Sequence, residues 1–497
     1  FDSMKAAVLD FQDTLCVDSH SVGSEIKEVV NTIQRENPLE APTSTGKLPR
    51  PLTKQQYYEQ ALEKREKYLG ECHAETLECL EIMARFHHQQ GDLDEAERCY
   101  RDILKRLELT LTQSLKPRKL LMMMQQLANV LFDSYKSGKI KMHYCYLTEA
   151  QGLYTRSFLL CRAEFGNKHP YTLACQNNLA TVHFEQSNYA LAEELYRSAL
   201  KTYREVQKGE ERNVANDDAK ADSTNTKLNQ EAMIDCIHNL ANVLQIRSSP
   251  NLEASEELHR EILTYSRMKY GDANKNTLLS VHNLAVNLLL QSQKFQKENK
   301  KMNKKTPTAA SAEAEMQQNR RLDEAEELAR EAYYGHIELL GVEHPDTMSS
   351  QINLANVLMT RATVEHTEDY LKEAETLNER VLEHRREQLG SSHAQTVVAM
   401  HNLAKIYQTQ RQYGKAEVLY RQALEAMQQT NYNHNGGERH FHTMVCASKL
   451  SVVEILHNKD FNAATDLMNT AMKGYETYYK KEDRQQTETA SQLVATT

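Results

Sequence analysis

At 497 residues, 40% hydrophobic and 26% charged, the chain is long and apolar enough for a sizeable interior, and its formal net charge is −9. That acidic balance argues against general nucleic-acid binding, which needs a basic face to neutralise phosphates. No apolar run approaches the ~20 residues that span a bilayer, and no leader peptide is visible. The nine cysteines contain no Cys-x-x-Cys pair, and Cys79, Cys175 and Cys236 fall inside amphipathic patterns. Core thiols in a reducing compartment are expected, not a disulfide framework.

Residues 1–53 read as an extension, with a short helix near Ser24 to Arg35 and a linker from Asn37 to Lys54 that carries four prolines. A lone helix is predicted over about Lys54 to Leu69. From Gly70 onward the pattern Gly-x-x-[His/Asn]-x-x-Thr returns six times. It runs from Gly70, Gly166, Gly271, Gly341, Gly390 and Gly437 to Thr76, Thr172, Thr277, Thr347, Thr396 and Thr443. Seven residues after each Thr stands an apolar residue followed by Ala or Ser, as in Leu179-Ala180 and Leu450-Ser451. Recurrence in phase marks an array of stacked supersecondary units.

Each unit reads as two helices. The second carries Ala-Glu-x-Leu-Tyr-Arg-x-Ala-Leu or a relative of it, as at Ala192 to Leu200 and Ala416 to Leu424. Its i, i+3, i+7 spacing lays one apolar stripe along the helix. The Gly is expected to end the preceding helix in a left-handed cap, and Pro170 and Pro345 suit the first turn of the next. Two further units keep only the interior: Gln126 to Asn129 paired with Ala150 to Phe158, and Asn239 to Asn242 paired with Ser255 to Leu263. Eight helix pairs follow, over residues 54–480 with the lone helix in front. Polar insertions at about 207–227 and 293–319 lack an apolar period and are expected to be surface loops. The basic run Lys297, Lys300, Lys301, Lys304 and Lys305 lies in the second and reads as solvated. Residues 481–497 read as a tail.

The unit His-Pro-x-Thr…Asn-Leu-Ala…Ala-Glu-x-Leu-Tyr-x-x-Ala-Leu…Leu-Gly resembles the tetratricopeptide repeats of kinesin light chains and nephrocystin-3-like proteins. The resemblance covers about four-fifths of the chain. It implies an all-α, right-handed α-solenoid of about eight helix-turn-helix repeats. Residues 1–50 show no sustained heptads, so a relative of the repeat domain is expected, not a kinesin light chain itself.

In such arrays the first helices line a concave groove. At ~100° per residue, positions two before and two after the core Leu lie opposite it. That geometry selects Arg85, Asn129, Asn177, Thr181, His238, Asn242, His282, Asn356, His401 and Lys405 as partner-binding candidates. Side-chain amides such as Asn129, Asn242 and Asn356 offer donors and an acceptor to an extended peptide. The same positions also suit the solvated side of a helix.

Catalytic chemistry is not signalled. Phosphate-cradling Gly-rich loops, nucleophile elbows and His-Glu-x-x-His are absent from the sequence. His434, His440, His442 and Cys446 could suggest zinc, yet His440 occupies the repeat's own His position and a structural role is favoured. His87-His88 reads as capping, and Tyr100, Tyr154, Tyr196 and Tyr420 as packing between repeats. The expected function is a non-catalytic adaptor or assembly scaffold for proteins or peptide segments, without cofactor, metal, nucleic acid or membrane insertion. Alternatives are a permanent subunit of a large complex and a regulatory region of an enzyme. The expected compartment is the cytoplasm, with the cilium, cytoskeleton or mitochondrion as alternatives.

Overall fold

The computed structural model describes residues 53–110, 117–137, 143–215, 223–247, 250–302, 309–431 and 437–474, and every regular element among them is an α-helix. Helix α1 (Lys54–Leu69) opens on a capping box in which the Thr53 hydroxyl and the Gln56 side chain each satisfy the other's backbone N–H. The described chain divides into two compact units, one ending at Val243 and one beginning at Leu244. The first holds α1, the pairs α2 (Ala74–Gln90)/α3 (Leu93–Thr110), α4 (Pro117–Ser137)/α5 (His143–Phe165) and α6 (Pro170–Glu185)/α7 (Tyr189–Ala215), and most of α8 (Ser223–Ile246). The second holds α9 (Leu252–Tyr270), α10 (Lys275–Met302)/α11 (Ala309–Leu340) and α12 (Pro345–Glu365)/α13 (Glu368–Leu389). It continues through α14 (Ala394–Thr409)/α15 (Tyr413–Asn431) and α16 (Gly437–His457)/α17 (residues 461–474). Helices α8 and α9 stand where the fourth pair is expected, and the described helices follow the predicted order.

Small residues set how closely the helices approach. Ala84, Ala128, Ala180 and Ala404 of the first helices, and Ala96, Ala192, Ala325, Ala374 and Ala416 of the second, are wholly buried. A larger side chain at any of them would have to push two helices apart. Tyr100, Tyr196 and Tyr420 fill the space one turn further on and are at most 1% exposed. The paired helices run antiparallel, as Thr181 meets Tyr196 while Asn177 meets Tyr203. In the second unit first helices also touch the next first helix, α10 with α12 and α14 with α16.

The repeated Gly-x-x-[His/Asn]-x-x-Thr signature is a joint between pairs. His73, His169, His344 and His393 are N-caps whose Nδ1 accepts the backbone N–H two residues on, at 3.1–3.3 Å. Asn274 does the same through Oδ1 at 2.9 Å, which explains why His and Asn interchange there. The Thr hydroxyl reaches back to the Gly carbonyl at 2.7–2.9 Å for Thr76, Thr172, Thr277 and Thr347. The glycines differ from expectation in one respect. Gly70, Gly271 and Gly390 have positive φ, but with ψ of 158°, 171° and 164° they sit in an extended region that only glycine enters readily, not the left-handed helical one. Gly91 is left-handed, at φ 78° and ψ 13°. The sixth copy departs further, since Gly437 and His440 lie inside α16.

Arginines knit the second helices together. Arg101, Arg260 and Arg330 each hold the Glu one turn earlier, Glu97, Glu256 and Glu326. Each also grips, through both Nη atoms at 2.6–2.9 Å, a Glu of the following unit: Glu149, Glu324 and Glu373. Those glutamates directly precede the buried Ala150, Ala325 and Ala374. Bidentate pairing fixes orientation as well as adding energy.

The two polar insertions are a correction. Helix α7 continues through Gln207 to Ala215 and α8 begins at Ser223, while α10 runs on to Met302 and α11 starts at Ala309. Lys, Glu, Gln and Ala are good helix formers, so a hairpin can be prolonged without an apolar stripe. Only 216–222 and 303–308 of these stretches lie outside the described residues, as do 1–52 and 475–497.

Candidate binding face on the first helices

In the unit ending at Val243, several predicted groove residues are spent inside the fold. Asn177 and Thr181 are each 6% exposed. Asn177 Nδ2 donates to the Tyr203 hydroxyl, and Thr181 Oγ1 lies 2.7 Å from the Tyr196 hydroxyl. Their assignment to an open face is corrected: long tyrosines from the partner helix reach across and cover them. Asn129 accepts a short hydrogen bond from Tyr154. Arg85 pairs with Glu81 at 2.9 Å, and Glu81 also faces Lys119 of α4. Helix-to-helix ties continue with His88 to Asp133 at 2.7 Å and Lys136 to Glu185 at 2.8 Å. On α8, burial holds the His238 imidazole down at about 4, and Asn242 is half-buried.

The unit beginning at Leu244 is arranged differently. His282 Nδ1 lies 3.1 Å from Ser350 Oγ, His336 Nδ1 lies 2.8 Å from the same oxygen, and Asn353 Nδ2 lies 2.6 Å from His282 Nε2. Burial first, and the neighbouring His336 second, hold His282 down at about 4, so both its nitrogens serve as neutral hydrogen-bonding groups. One level further along, Gln293 reaches Thr360 at 3.4 Å, and His401 faces Cys446 Sγ at 3.6 Å while standing edge-on to Tyr420.

Beyond that row lies Lys405, half-buried on α14. Burial lowers its ammonium, and the charges acting on it are two more cations, Lys449 of α16 and Lys297 of the prolonged α10. Among the described residues no carboxylate pairs with any of the three. Asn356 of α12 is half-buried on the neighbouring first helix, and its side chain is likewise uncommitted. A half-buried cation repelled by two others can accept an anionic group at low desolvation cost. Lys405 and Asn356 are among the sequence candidates, whereas Lys297 and Lys449 are not. Lys297 had been read as part of a loop, and Lys449 lies one residue off the selected register. A separate groove of about 640 Å³ between α13, α14 and α15 is floored by Leu382, Leu403 and Leu419 and edged by Glu379, Glu383, Glu387 and Lys415.

The side chains of His434, His440 and His442 lie outside the described residues, and Cys446 is buried against His401. Among the described residues no three metal-ligating side chains converge. No described helix is long and apolar enough to cross a membrane.

Two family models described as tetratricopeptide repeat match the sequence, one over residues 146–205 and 355–429, the other over 76–111 and 316–346. The matched segments are tetratricopeptide repeats. No curated protein matches its sequence. Among solved structures, the apo form of the quorum sensor NprR from B. thuringiensis shares the fold at TM-score 0.51 and 10% identity, over 95% of this chain and 99% of its own. BtubC (BKLC) from P. vanneervenii matches at TM-score 0.38 and 17% identity, over 58% and 94% of the two chains. A Rap protein complexed with Competence and Sporulation Factor matches at TM-score 0.42 and 14% identity, over 83% and 99%.

Proposed function

We propose that this chain is a non-catalytic adaptor or assembly scaffold, and that first helices α10, α12, α14 and α16 receive an acidic segment of a partner protein. The observation that carries this reading is Lys405, a half-buried ammonium repelled by Lys449 and Lys297 and, among the described residues, paired with no carboxylate. Asn356 would bond the segment's backbone, and a partner carboxylate would relieve the repulsion among the cations. His282 and His401, tied into the helix row, act in this reading as supports. The acidic overall charge fits a protein partner better than a nucleic acid. Buried free thiols suit a reducing compartment such as the cytoplasm.

A display library of extended peptides selected on the purified chain tests the proposal. Binders should be enriched in Asp and Glu, and Lys405→Glu should weaken them at least tenfold. Binders that show no acidic bias and bind K405E equally well would refute it.

One observation favours a second reading, a permanent subunit of a larger complex. Val452, Ile455 and Leu456 on α16, and Phe461, Met468 and Met472 on α17, are 37–66% exposed. Apolar surface concentrated in one terminal hairpin suits lasting burial against a neighbour. Size fractionation of native lysate separates the two: a permanent subunit is never recovered near its own 57.2 kDa.

A further inference from the structure

We propose that Cys161 of α5 and Cys175 of α6 form a peroxide-sensitive dithiol that closes to a disulfide and staples the second helix pair to the third. Their sulfurs stand 3.6 Å apart. A disulfide needs about 2.05 Å, so the sulfurs have to approach by about 1.5 Å. Both residues are buried, at 2% and 0% exposure, in a pocket with Leu121 and the flanking rings of Phe158, Phe165 and Tyr171. Gln125 of α4 donates to Cys175 Sγ at 2.6 Å, fixing that sulfur on the side facing Cys161. Among the described residues, these are the two thiols in contact with one another.

The pair is also asymmetric. The Cys175 thiol donates to Cys161, which holds Cys161 below the ordinary thiol range and pushes Cys175 well above it. Other buried thiols go only upward, Cys99 to about 11 and Cys446 to about 12, because burial is the main influence on them. Cys161 is thus the attacking sulfur and Cys175 the resolving one.

The chemistry balances with hydrogen peroxide as the oxidant. The Cys161 thiolate attacks one peroxide oxygen, an S–O bond forms, the O–O bond breaks and hydroxide leaves. Hydroxide takes the Cys175 proton, and the Cys175 thiolate attacks Cys161 Sγ. The S–S bond forms as the S–O bond breaks, and the departing hydroxide becomes water with the proton that Cys161 released on ionising. Two thiols are oxidised and one peroxide is reduced to two waters. Both sulfurs being buried, the reaction proceeds through local opening of the α5–α6 junction.

The test treats the full chain with hydrogen peroxide, blocks residual thiols with N-ethylmaleimide and maps peptides without reduction. A Cys161–Cys175 linked peptide is expected, reversed by dithiothreitol, with a melting temperature several degrees above the reduced form. In Cys175→Ser, dimedone should label Cys161, where the sulfenic acid now has no resolving thiol. The wild-type map decides the matter if that variant does not fold. The proposal is overturned if Cys161 and Cys175 remain alkylatable after the exposed Cys72 and Cys145 are fully oxidised. It is equally overturned if Cys161 is found joined to any other cysteine.

Discussion

The first helices of the unit ending at Val243 and those of the unit beginning at Leu244 share one skeleton but are tied together by different groups. In the former, carboxylates take part in the ties across neighbouring helices, as in Glu81 with Lys119, Asp133 with His88 and Glu185 with Lys136. In the latter, apart from Lys275 with Asp346 at the helix starts, the ties are neutral: His282 with Ser350 and Asn353, Gln293 with Thr360, and His401 with Cys446. Among the described residues, Lys297, Lys405 and Lys449 pair with no carboxylate. The repeat therefore dictates the buried alanines, tyrosines and joints, and leaves the exposed rows of each unit open to specialise.

The largest expected effect asks whether the units respond separately. Tyr196→Ala removes a fully buried ring bonded to Thr181 and should cost about 3–5 kcal/mol. Amide exchange should quicken in α6 and α7 while α12 to α15 keep their protection. Matching losses in both units would break the comparison.

Acid should act next, through the neutral ties. The folded value of His282, about 4, lies below the ordinary imidazole value of about 6.5, so the fold favours the neutral ring. Its contribution is complete above pH 6.5 and is lost as pH falls through 4, because the unfolded chain takes up the proton first. Up to about 3 kcal/mol is at stake. His282→Gln should flatten the fall in urea midpoint between pH 7 and pH 4.5. An unaltered slope would mean that the histidine row is not what acid attacks.

Two smaller effects should agree between the units. Gly166 and Gly390 share φ of 82° and 81°, with open space where a Cβ would stand. Alanine at either should cost about 1–3 kcal/mol through backbone strain alone, read from thermal melts. Unequal costs would show that the joints are not equivalent. The clamps should matter least. Double-mutant cycles of Arg101 with Glu149, and of Arg330 with Glu373, should each give about 0.5–1 kcal/mol, since their side chains are 30–44% exposed. Coupling well above that in one unit alone would locate a further difference.

Helix order was legible because its signals are local and repeated. The lone helix was placed at Lys54 to Leu69, and there it lies. The Gly-to-Thr joints mark where most first helices begin. Hairpin prolongation was not legible, because the end of α7 and the start of α11 need only helix-forming composition and no apolar face. Angular reasoning places His282, Asn356, His401 and Lys405 on the first helices, and there each is half-buried. It did not foresee that Tyr196 and Tyr203 would cover Thr181 and Asn177, since the reach of a partner's side chain is not written in the helix it covers. The clamps left a trace, the Arg that follows Tyr100 and Tyr420, but its acceptor lies a whole repeat away.

That spacing bears on how such chains can change length. A hairpin flanked by the acceptor glutamate of one neighbour and the donor arginine of the next can be copied or excised whole, and the new edges still match. Genetic slippage in any other phase strands a guanidinium against aliphatic side chains. Growth by complete modules is thus the route this architecture tolerates, and each added module brings another stretch of unassigned surface on which a new contact can arise.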